Sequence, residues 1–434
     1  MKKVANCRWY VVALLFIATT ISYIDRQNLT VIAPMLRDEL GISNSGYAQI
    51  LSAFLLAYTV MQAVTGWLID KLGTRNGFAL IMAWWSVAAM LHAFGEGVVS
   101  FSIFRLLLGA GEAGSWAACV KAVSEWFPSK ERGIANALWG VGTSAGLVLS
   151  VPVVAWIALV LGWQYSFVLT GLLGFIWLLI WMRFYRLPEE HPAITAGELQ
   201  YIQTGAEHSS SLENETKIPY WVLLRSRNVW ALVLARVLAV PCSWFYHFWI
   251  PEFLKRTAGF SIADIGKYAW IPFLTQGIGI LLGGLLSDWL YRRGMKIITA
   301  RFTIMFAGML CMCAGILAAF PLDILVVFFA ISTATFGFGL WAPNMMTLCG
   351  EAFPRQVVGS VTGLSGMGAG LGGMGFTMLT GWTLDHFGYS PVLVAAGMIP
   401  LLAVLVLYFL FDRKLAESIS TSRVSTLFPE KNTR

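Results

Sequence analysis

Glu125, Phe127, Pro128, Gly133, Gly140, Gly142 and Gly146 recur as Glu351, Phe353, Pro354, Gly359, Gly366, Gly368 and Gly372, each 226 positions later. A second pair of stretches repeats at an offset of 218: Gly66-Trp67-Leu68-Ile69-Asp70-Lys71 and Gly284-Leu285-Leu286-Ser287-Asp288-Trp289, each followed by basic residues. The same offset aligns Gly41-Ile42-Ser43 with Gly259-Phe260-Ser261. In a chain of 434 residues both offsets are close to half the length, so the sequence encodes one unit twice and must fold as two like halves.

The solvent for those halves follows from composition. Hydrophobic residues make up 57% and charged residues only 12%, too little charge to cover a water-soluble globule of this size. Mean hydropathy is +0.69. Apolar stretches reach the roughly 20 residues that a helix needs to cross a bilayer. Six are expected in the first half, at Trp9–Met35, Tyr47–Ile69, Gly77–Phe94, Phe101–Lys121, Ile134–Val160 and Trp163–Tyr185. Six more are expected at Val229–Phe253, Ile265–Leu290, Ile297–Phe320, Ile324–Gly350, Val358–Trp382 and Val392–Phe411. The expected fold is an all-α membrane protein of twelve transmembrane helices in two pseudo-symmetric halves, residues 1–185 and 229–411, with a polar linker at 186–228 and a tail at 412–434. Two facing repeats in a membrane are the usual build of an alternating-access transporter.

Lysines and arginines collect in short cytoplasmic loops. One side gathers Lys2, Lys3, Arg8, Lys71, Arg75, Lys130, Arg132, Arg183, Arg186, Arg292, Arg293, Lys296, Arg301, Arg355 and the tail from Arg413 on, whereas the other holds Arg37, Lys255, Arg256 and Lys267. Both termini are therefore expected in the cytoplasm, and the net charge of +7 records the asymmetry. The charges form no single patch with interleaved aromatics, so nucleic acid is not an expected partner. The N-terminal apolar run lacks a small-residue cleavage site and is expected to be the first span, not a signal peptide. The six cysteines match no metal or redox spacing, and neither Asn28-Leu29-Thr30 nor Asn214-Glu215-Thr216 lies where it would be glycosylated.

Two glycine runs fit the dinucleotide pattern, Gly109 to Gly114 and Gly368 to Gly373. That motif requires a preceding strand, so within apolar helices these glycines are expected to serve close helix packing. No nucleophile with a nearby base, metal cluster or phosphate loop is legible, so no enzyme activity, metal or cofactor is expected.

Ionisable groups at membrane depth are costly and mark solute or ion pathways. Asp25 and Arg26 lie in span one; Arg105 and Glu112 lie in span four, seven residues apart and hence on one helical face. An arginine fork suits a carboxylate ligand, which makes Arg26 or Arg105 the expected contact to an anionic substrate. Asp25 and Glu112 are the candidates for carrying the coupling proton; the plain alternative is a structural salt bridge between two helices. Tyr58 could hydrogen bond a substrate hydroxyl. In the second half Gln276, Ser332, Asn344 and Ser365 are neutral hydrogen-bonding groups inside spans, suited to a polyhydroxy backbone, although each alone is commonly helix glue. His247 could titrate, and Arg236 and Lys121 lie nearer the cytoplasmic face, within snorkelling distance. Gly66, Asp70, Arg75 and Asp288 are expected to act in conformational gating, with Asp70 and Asp288 ending helices and either capping them or pairing across to the other half.

Gly66-Trp67-Leu68-Ile69-Asp70-Lys71-Leu72-Gly73-Thr74-Arg75 resembles the signature loop between spans two and three of the major facilitator superfamily. Ser22-Tyr23-Ile24-Asp25-Arg26-Gln27-Asn28-Leu29, Arg105 through Gly114, and Ser124-Glu125-Trp126-Phe127-Pro128 with Glu131-Arg132 resemble its anion:cation symporter family. Bacterial members of that family include proton-coupled transporters of hexuronates, aldonates and aldarates. The resemblance implies that Arg26 binds the substrate carboxylate, that Asp25 and Glu112 carry protons, that Arg105 and Tyr58 line the same site, and that Asn344 matches a polar position of the sugar-acid members. Hexuronate carriers of the family can lack an acid before the span-one arginine; Asp25 here leans towards an aldonate.

The expected function is therefore proton-coupled import of a sugar-acid anion across a bacterial inner membrane by a monomer, with the proton as coupling ion. Two alternatives remain open: a carrier, coupled or not, of another organic anion such as an aromatic acid, and a membrane receptor for the anion.

Overall fold

The computed structural model describes residues 6–128, 131–210, 223–353, 355–413 and 416. Lys2, Lys3, Lys130, Ser211, the Asn214-Glu215-Thr216 tripeptide, Pro354 and the tail from Glu417 lie outside the described residues.

Among the described residues the regular structure is helical throughout. The first part of the chain forms α1 (Cys7–Leu40), α2 (Asn44–Leu91), α3 (Val98–Glu112), α4 (Ser115–Trp126), α5 (Arg132–Val160), α6 (Trp163–Phe184) and α7 (Ala196–Ser210). The second part forms α8 (Arg227–Ala258), α9 (Ile262–Tyr268), α10 (Ile271–Arg292), α11 (Ile297–Met312), α12 (Ile324–Glu351), α13 (Arg355–Phe387) and α14 (Tyr389–Leu410). Ten stretches of the described residues are long and apolar enough to cross a membrane. Helices also stand where the second and eleventh of the twelve expected spans fall, in the first part of α2 and in α13.

The expected break between spans two and three is present: within the stretch labelled α2 one helix runs from Asn44 to the signature loop, Gly73 there takes a non-helical conformation open to glycine (φ 75, ψ 159), and a second helix follows to Leu91. Asp70 lies three positions before that break, and Asp288 four positions before the end of α10. The stretch expected as linker is helical at its start, where Glu198 of α7 reaches the N-terminus of α1. There its carboxylate accepts from the backbone amides of Cys7 (2.9 Å) and Arg8 (3.2 Å) and pairs with the Arg8 side chain (3.0 Å). A carboxylate at that end satisfies orphan amides and opposes the positive end of the helix dipole.

The described chain packs as two compact units, Met1–Glu215 with Phe248–Trp270, and Thr216–His247 with Ile271–Arg434. In the first unit α1 packs on α5 and α6, α2 on α3, α4 and α6, and α9 on α5. In the second, α12 packs on α10 and α11, while α14 packs on the short helical turn at Cys313–Ala319 that continues α11.

The duplication read in the sequence is a duplication of geometry. Gly41 and Gly259 both take left-handed backbone angles (φ 63 and 67) at the end of a helix. Ser43 and Ser261 then start the next one, each accepting the amide three residues on, at 3.0 and 3.2 Å. Close packing repeats too. A methyl added at Gly142 would lie 2.6 Å from the Phe16 carbonyl oxygen, and one at Gly146 2.6 Å from that of Thr20. In the second unit Gly368 faces Val233 at 2.9 Å and Gly372 the Val237 carbonyl oxygen at 2.9 Å. The glycines are 226 positions apart and their partners 217, so α5 on α1 and α13 on α8 are the same contact made twice. The glycine run of span four is used the same way: a methyl at Gly109 would meet the Phe54 carbonyl oxygen at 2.5 Å.

Candidate functional site

α1 enters the first unit as an apolar helix that carries Asp25 and Arg26 at its centre. α3 brings Arg105 and Glu112 to the same place. Arg26 donates from Nε (3.1 Å) and Nη2 (2.8 Å) to a single oxygen, Oε2 of Glu112. The other oxygen, Oε1, is buried without a hydrogen-bond partner, and Glu112 is fully buried. Arg105, also buried, donates from Nη1 to the backbone carbonyl of Arg26 at 3.1 Å, while its Nε and Nη2 have no partner. Neither carboxylate oxygen of Asp25, 2% exposed, has a hydrogen-bond partner.

The guanidinium of Arg26 lies among three aromatic rings, 4.7 Å from the centroid of Tyr23, 4.9 Å from Phe54 and 4.9 Å from Tyr58. Phe54 and Tyr58 are one helical turn apart and stack at 5.6 Å. Rings of this kind hold a cation by their faces without neutralising it, and leave its N–H edge for an anion. Beside Asp25 a chain of neutral groups ties α1 to α6: Ser166 donates to Asn28 Oδ1 (2.7 Å), and Asn28 Nδ2 donates to Thr170 Oγ1 (3.1 Å). These bonds fix the face of α1 that carries the acid.

Buried polar atoms are almost always satisfied. Here unsatisfied donors and acceptors of both signs stand in one place, an arrangement suited to an anionic ligand and a mobile proton. The four charges expected to converge do so, and Tyr58 joins them. Tyr23 and Phe54 carry no charge and are not among the expected site residues; Tyr23 lies three positions before Arg26 and Phe54 four before Tyr58, one helical turn in each case, and that spacing is the signal that points to them.

The neutral groups of the second unit are held differently. Gln276 Oε1 bonds His247 Nε2 at 2.7 Å. Asn344 donates to the carbonyl of Gly283 (2.9 Å), tying α12 to α10 as helix glue, and to that of Leu340 (2.8 Å) one turn back on α12, with its Oδ1 unpartnered. Ser365 accepts from Arg236 Nη1 (3.0 Å) and donates to the Thr362 carbonyl (3.0 Å). Ser332 keeps a buried hydroxyl without a partner.

The gating candidates pair inside their own units. Asp70 bonds Lys121 of α4 at 2.7 Å, so this lysine is an ion-pair partner. Arg75 donates to the Met182 carbonyl (2.5 Å), and neighbouring Thr74 to Glu125 (2.7 Å), which Tyr185 also bonds. Asp288 pairs with Arg301 at 2.8 Å, which also holds Glu351 at 3.0 Å. Gly66 has open space around it: an added methyl would meet nothing within 4 Å.

A second charge cluster, not anticipated as a unit, lies at the far end of α1. Arg37 pairs with the buried Glu252 at 2.6 Å. Glu252 also holds Arg256 (2.9 Å), which reaches Asp38 (2.5 Å) beside Lys255. In sequence these residues read as separate charges at the ends of spans, where solvated side chains are usual.

The sequence pattern of the Major Facilitator Superfamily matches residues 15–377. The chain is 33% identical over 423 residues to the hexuronate transporter of Escherichia coli (strain K12), covering 97% of this chain and 98% of that protein. It is 29% identical over 405 residues to the D-galactonate transporter of Escherichia coli O6:H1, covering 92% of this chain and 94% of that one. Among solved structures, the inward-open conformation of the xylose transporter XylE from E. coli is similar with a TM-score of 0.75 at 14% identity, covering 96% of this chain and 99% of that one, which is a likeness of fold.

Proposed function

The chain belongs to the Major Facilitator Superfamily and is a multi-pass membrane transporter, and from that premise we propose that it imports a sugar-acid anion together with protons by alternating access. One observation carries the proposal: Arg26 is held by one oxygen of Glu112 while the second oxygen, both oxygens of Asp25 and two nitrogens of Arg105 have no partner.

A substrate carboxylate reaching Arg26 competes for the N–H groups that Glu112 now occupies. Glu112 displaced in this way is a buried charge without a counterion, a state that costs several kcal/mol. Proton uptake by Glu112 relieves that cost, so anion binding and proton binding favour one another. When the substrate leaves, Arg26 returns to Glu112 and the proton is released. Asp25 is the second proton carrier. Arg105 braces Arg26 through its backbone and offers its free nitrogens to the ligand, and Tyr58 lines the approach. Gln276 and Ser365 face the hydroxyls, Asn344 ties α12 to α10, and the Asp70, Arg75 and Asp288 contacts, with Gly66, control the rate of exchange between states.

The transporter is proposed to act as a monomer in a bacterial inner membrane, with both termini cytoplasmic and six-helix halves at 1–185 and 229–411. The higher identity to a hexuronate transporter than to a D-galactonate transporter supports a hexuronate as first substrate; the acid before Arg26 leans towards an aldonate, and both are to be assayed. The test is proton influx into liposomes carrying the purified protein, followed by an internal pH dye as galacturonate, glucuronate, galactonate and glucarate are added outside. Acidification with one of them is the expected outcome. Silence with all four from folded protein would overturn the proposal and direct the search to aromatic acids and uncoupled transport.

A further inference from the structure

Arg236 stands out among the arginines within the candidate spans. Arg26, Arg37 and Arg301 each hold a carboxylate, and Arg105 lies beside the Arg26–Glu112 pair. Arg236, near the first third of α8, makes no ion pair among the described residues. Its one side-chain hydrogen bond there is from Nη1 to the Ser365 hydroxyl of α13, at 3.0 Å. Ser365 already gives its proton to the Thr362 carbonyl, so it offers the guanidinium an acceptor and no charge.

Three further observations separate this arginine from a packing residue. It is half-buried, on a helix whose span would otherwise set it in hydrocarbon, and an intramembrane charge that is neither paired nor fully enclosed faces water. The residue beside it on α13 is Gly366, where an added methyl would come 3.9 Å from Arg236 Nη1, so the flank of the guanidinium is not filled by a side chain. Finally, Arg236 departs from the duplication. The position 217 residues earlier, on the equivalent face of α1, is Thr19, whose hydroxyl is spent on the Leu15 carbonyl. The charge belongs to the second unit alone and has no role in the shared scaffold.

We propose that Arg236, oriented by Ser365, is a carboxylate-binding point of the second unit and takes a carboxylate of the transported sugar acid; this rests on the sugar-acid proposal above. Two sources could supply that carboxylate: the single carboxylate of an aldonate or uronate at another step of its passage, or the second carboxylate of an aldarate.

The experiment measures the affinity of detergent-purified full-length protein for galacturonate and galactonate, each with one carboxylate, and glucarate, with two, by tryptophan fluorescence. Wild type is compared with Arg236→Gln, Arg236→Lys and Ser365→Ala, and melting temperatures are recorded for each. Loss of a charge-assisted hydrogen bond predicts an affinity about tenfold or more weaker in Arg236→Gln. Arg236→Lys, which keeps the charge but not the fork, should lose less, and Ser365→Ala least. Weakening for the monocarboxylates as well as glucarate identifies the single carboxylate, and weakening for glucarate alone identifies the second one. Unchanged affinity for every ligand in Arg236→Gln, with or without a lower melting temperature, would make Arg236 a structural tie and overturn the inference. Wild type that binds none of the three sugar acids would overturn the sugar-acid proposal itself and the ligand assigned here with it.

Discussion

The two units share a scaffold and differ in what they place on it. α1 in the first unit and α8 in the second meet their glycine-faced partners through the same contact, yet the positions that correspond to Asp25 and Arg26 are Cys242 and Ser243. The positions 226 residues after Arg105 and Glu112 are Ile331 and Phe338. In the first unit charged groups meet with several atoms unsatisfied; in the second, neutral groups spend most of their capacity on helix backbones and on one another. A duplicated fold thus separates two tasks: the packing is common property, and the binding of charge resides in one copy. Unsatisfied atoms of charged groups, not polar residue types, distinguish the unit expected to handle charge.

Arg26→Ala should have the largest effect. It removes the anion contact and leaves Glu112 buried without its partner, so substrate binding should be lost, with affinity down about a hundredfold or more. Because an unpaired Glu112 also threatens folding, Arg26→Ala is best combined with Glu112→Gln, which removes the orphan charge. If the double variant, folded by its melting curve, bound a sugar acid with wild-type affinity, the first unit would not be the binding unit.

Glu112→Gln alone comes next and divides binding from coupling. Glutamine keeps the shape and an oxygen for Arg26 but cannot cycle a proton. Substrate binding and exchange between equal pools should persist, while accumulation driven by a proton gradient should disappear. Liposomes loaded with substrate for counterflow, and empty ones under an imposed pH gradient, measure the two separately. Loss of both would demote Glu112 to a structural partner of Arg26.

Much of this was legible in the sequence, and the reasons are physical. Glycine at Gly41 and Gly259 and serine at Ser43 and Ser261 can be read because a left-handed helix end and an N-cap admit few residues. Asp25, Arg26, Arg105 and Glu112 can be read because hydrocarbon makes any charge conspicuous. The break between spans two and three can be read as well, since Gly73-Thr74 carries the composition of a turn and the backbone leaves helical angles at Gly73. The Arg37–Glu252 cluster was hidden by the 215 residues that separate its partners. Asn344 was visible as a polar residue, but its partners are backbone carbonyls, which every residue has.

That last case gives a smaller effect. Asn344→Ala removes one hydrogen bond between α12 and α10 and one within α12, in exchange for a small cavity. Hydrogen bonds between membrane helices are worth about 0.6 kcal/mol each on average. A melting temperature lower by a few degrees is expected, with substrate affinity changed less than about threefold, a difference worth under about 0.7 kcal/mol. A large loss of affinity with little loss of stability would return Asn344 to the binding site and make the second unit more active in recognition than its satisfied groups imply.

The smallest effects come from the twin glycines at the signature positions, and they test the symmetry most directly. Gly66 and Gly284 both lie inside helices, at ordinary helical backbone angles, with nothing within 4 Å of an added methyl. Alanine at either should therefore be accepted, raising stability by about 0.5–1 kcal/mol through helix propensity. Gly142→Ala serves as the contrast, since its methyl would meet the Phe16 carbonyl oxygen at 2.6 Å and must push α5 from α1. Transport rate is the second readout. If Gly66→Ala and Gly284→Ala leave both stability and rate intact, the glycines have no part in gating. If stability rises while the rate falls, the methyl is harmless in this conformation and obstructive in another, and Gly66 acts where helices close in the opposite state. A fall for Gly66 alone would assign that closure to the first unit and extend the division of labour from chemistry to movement.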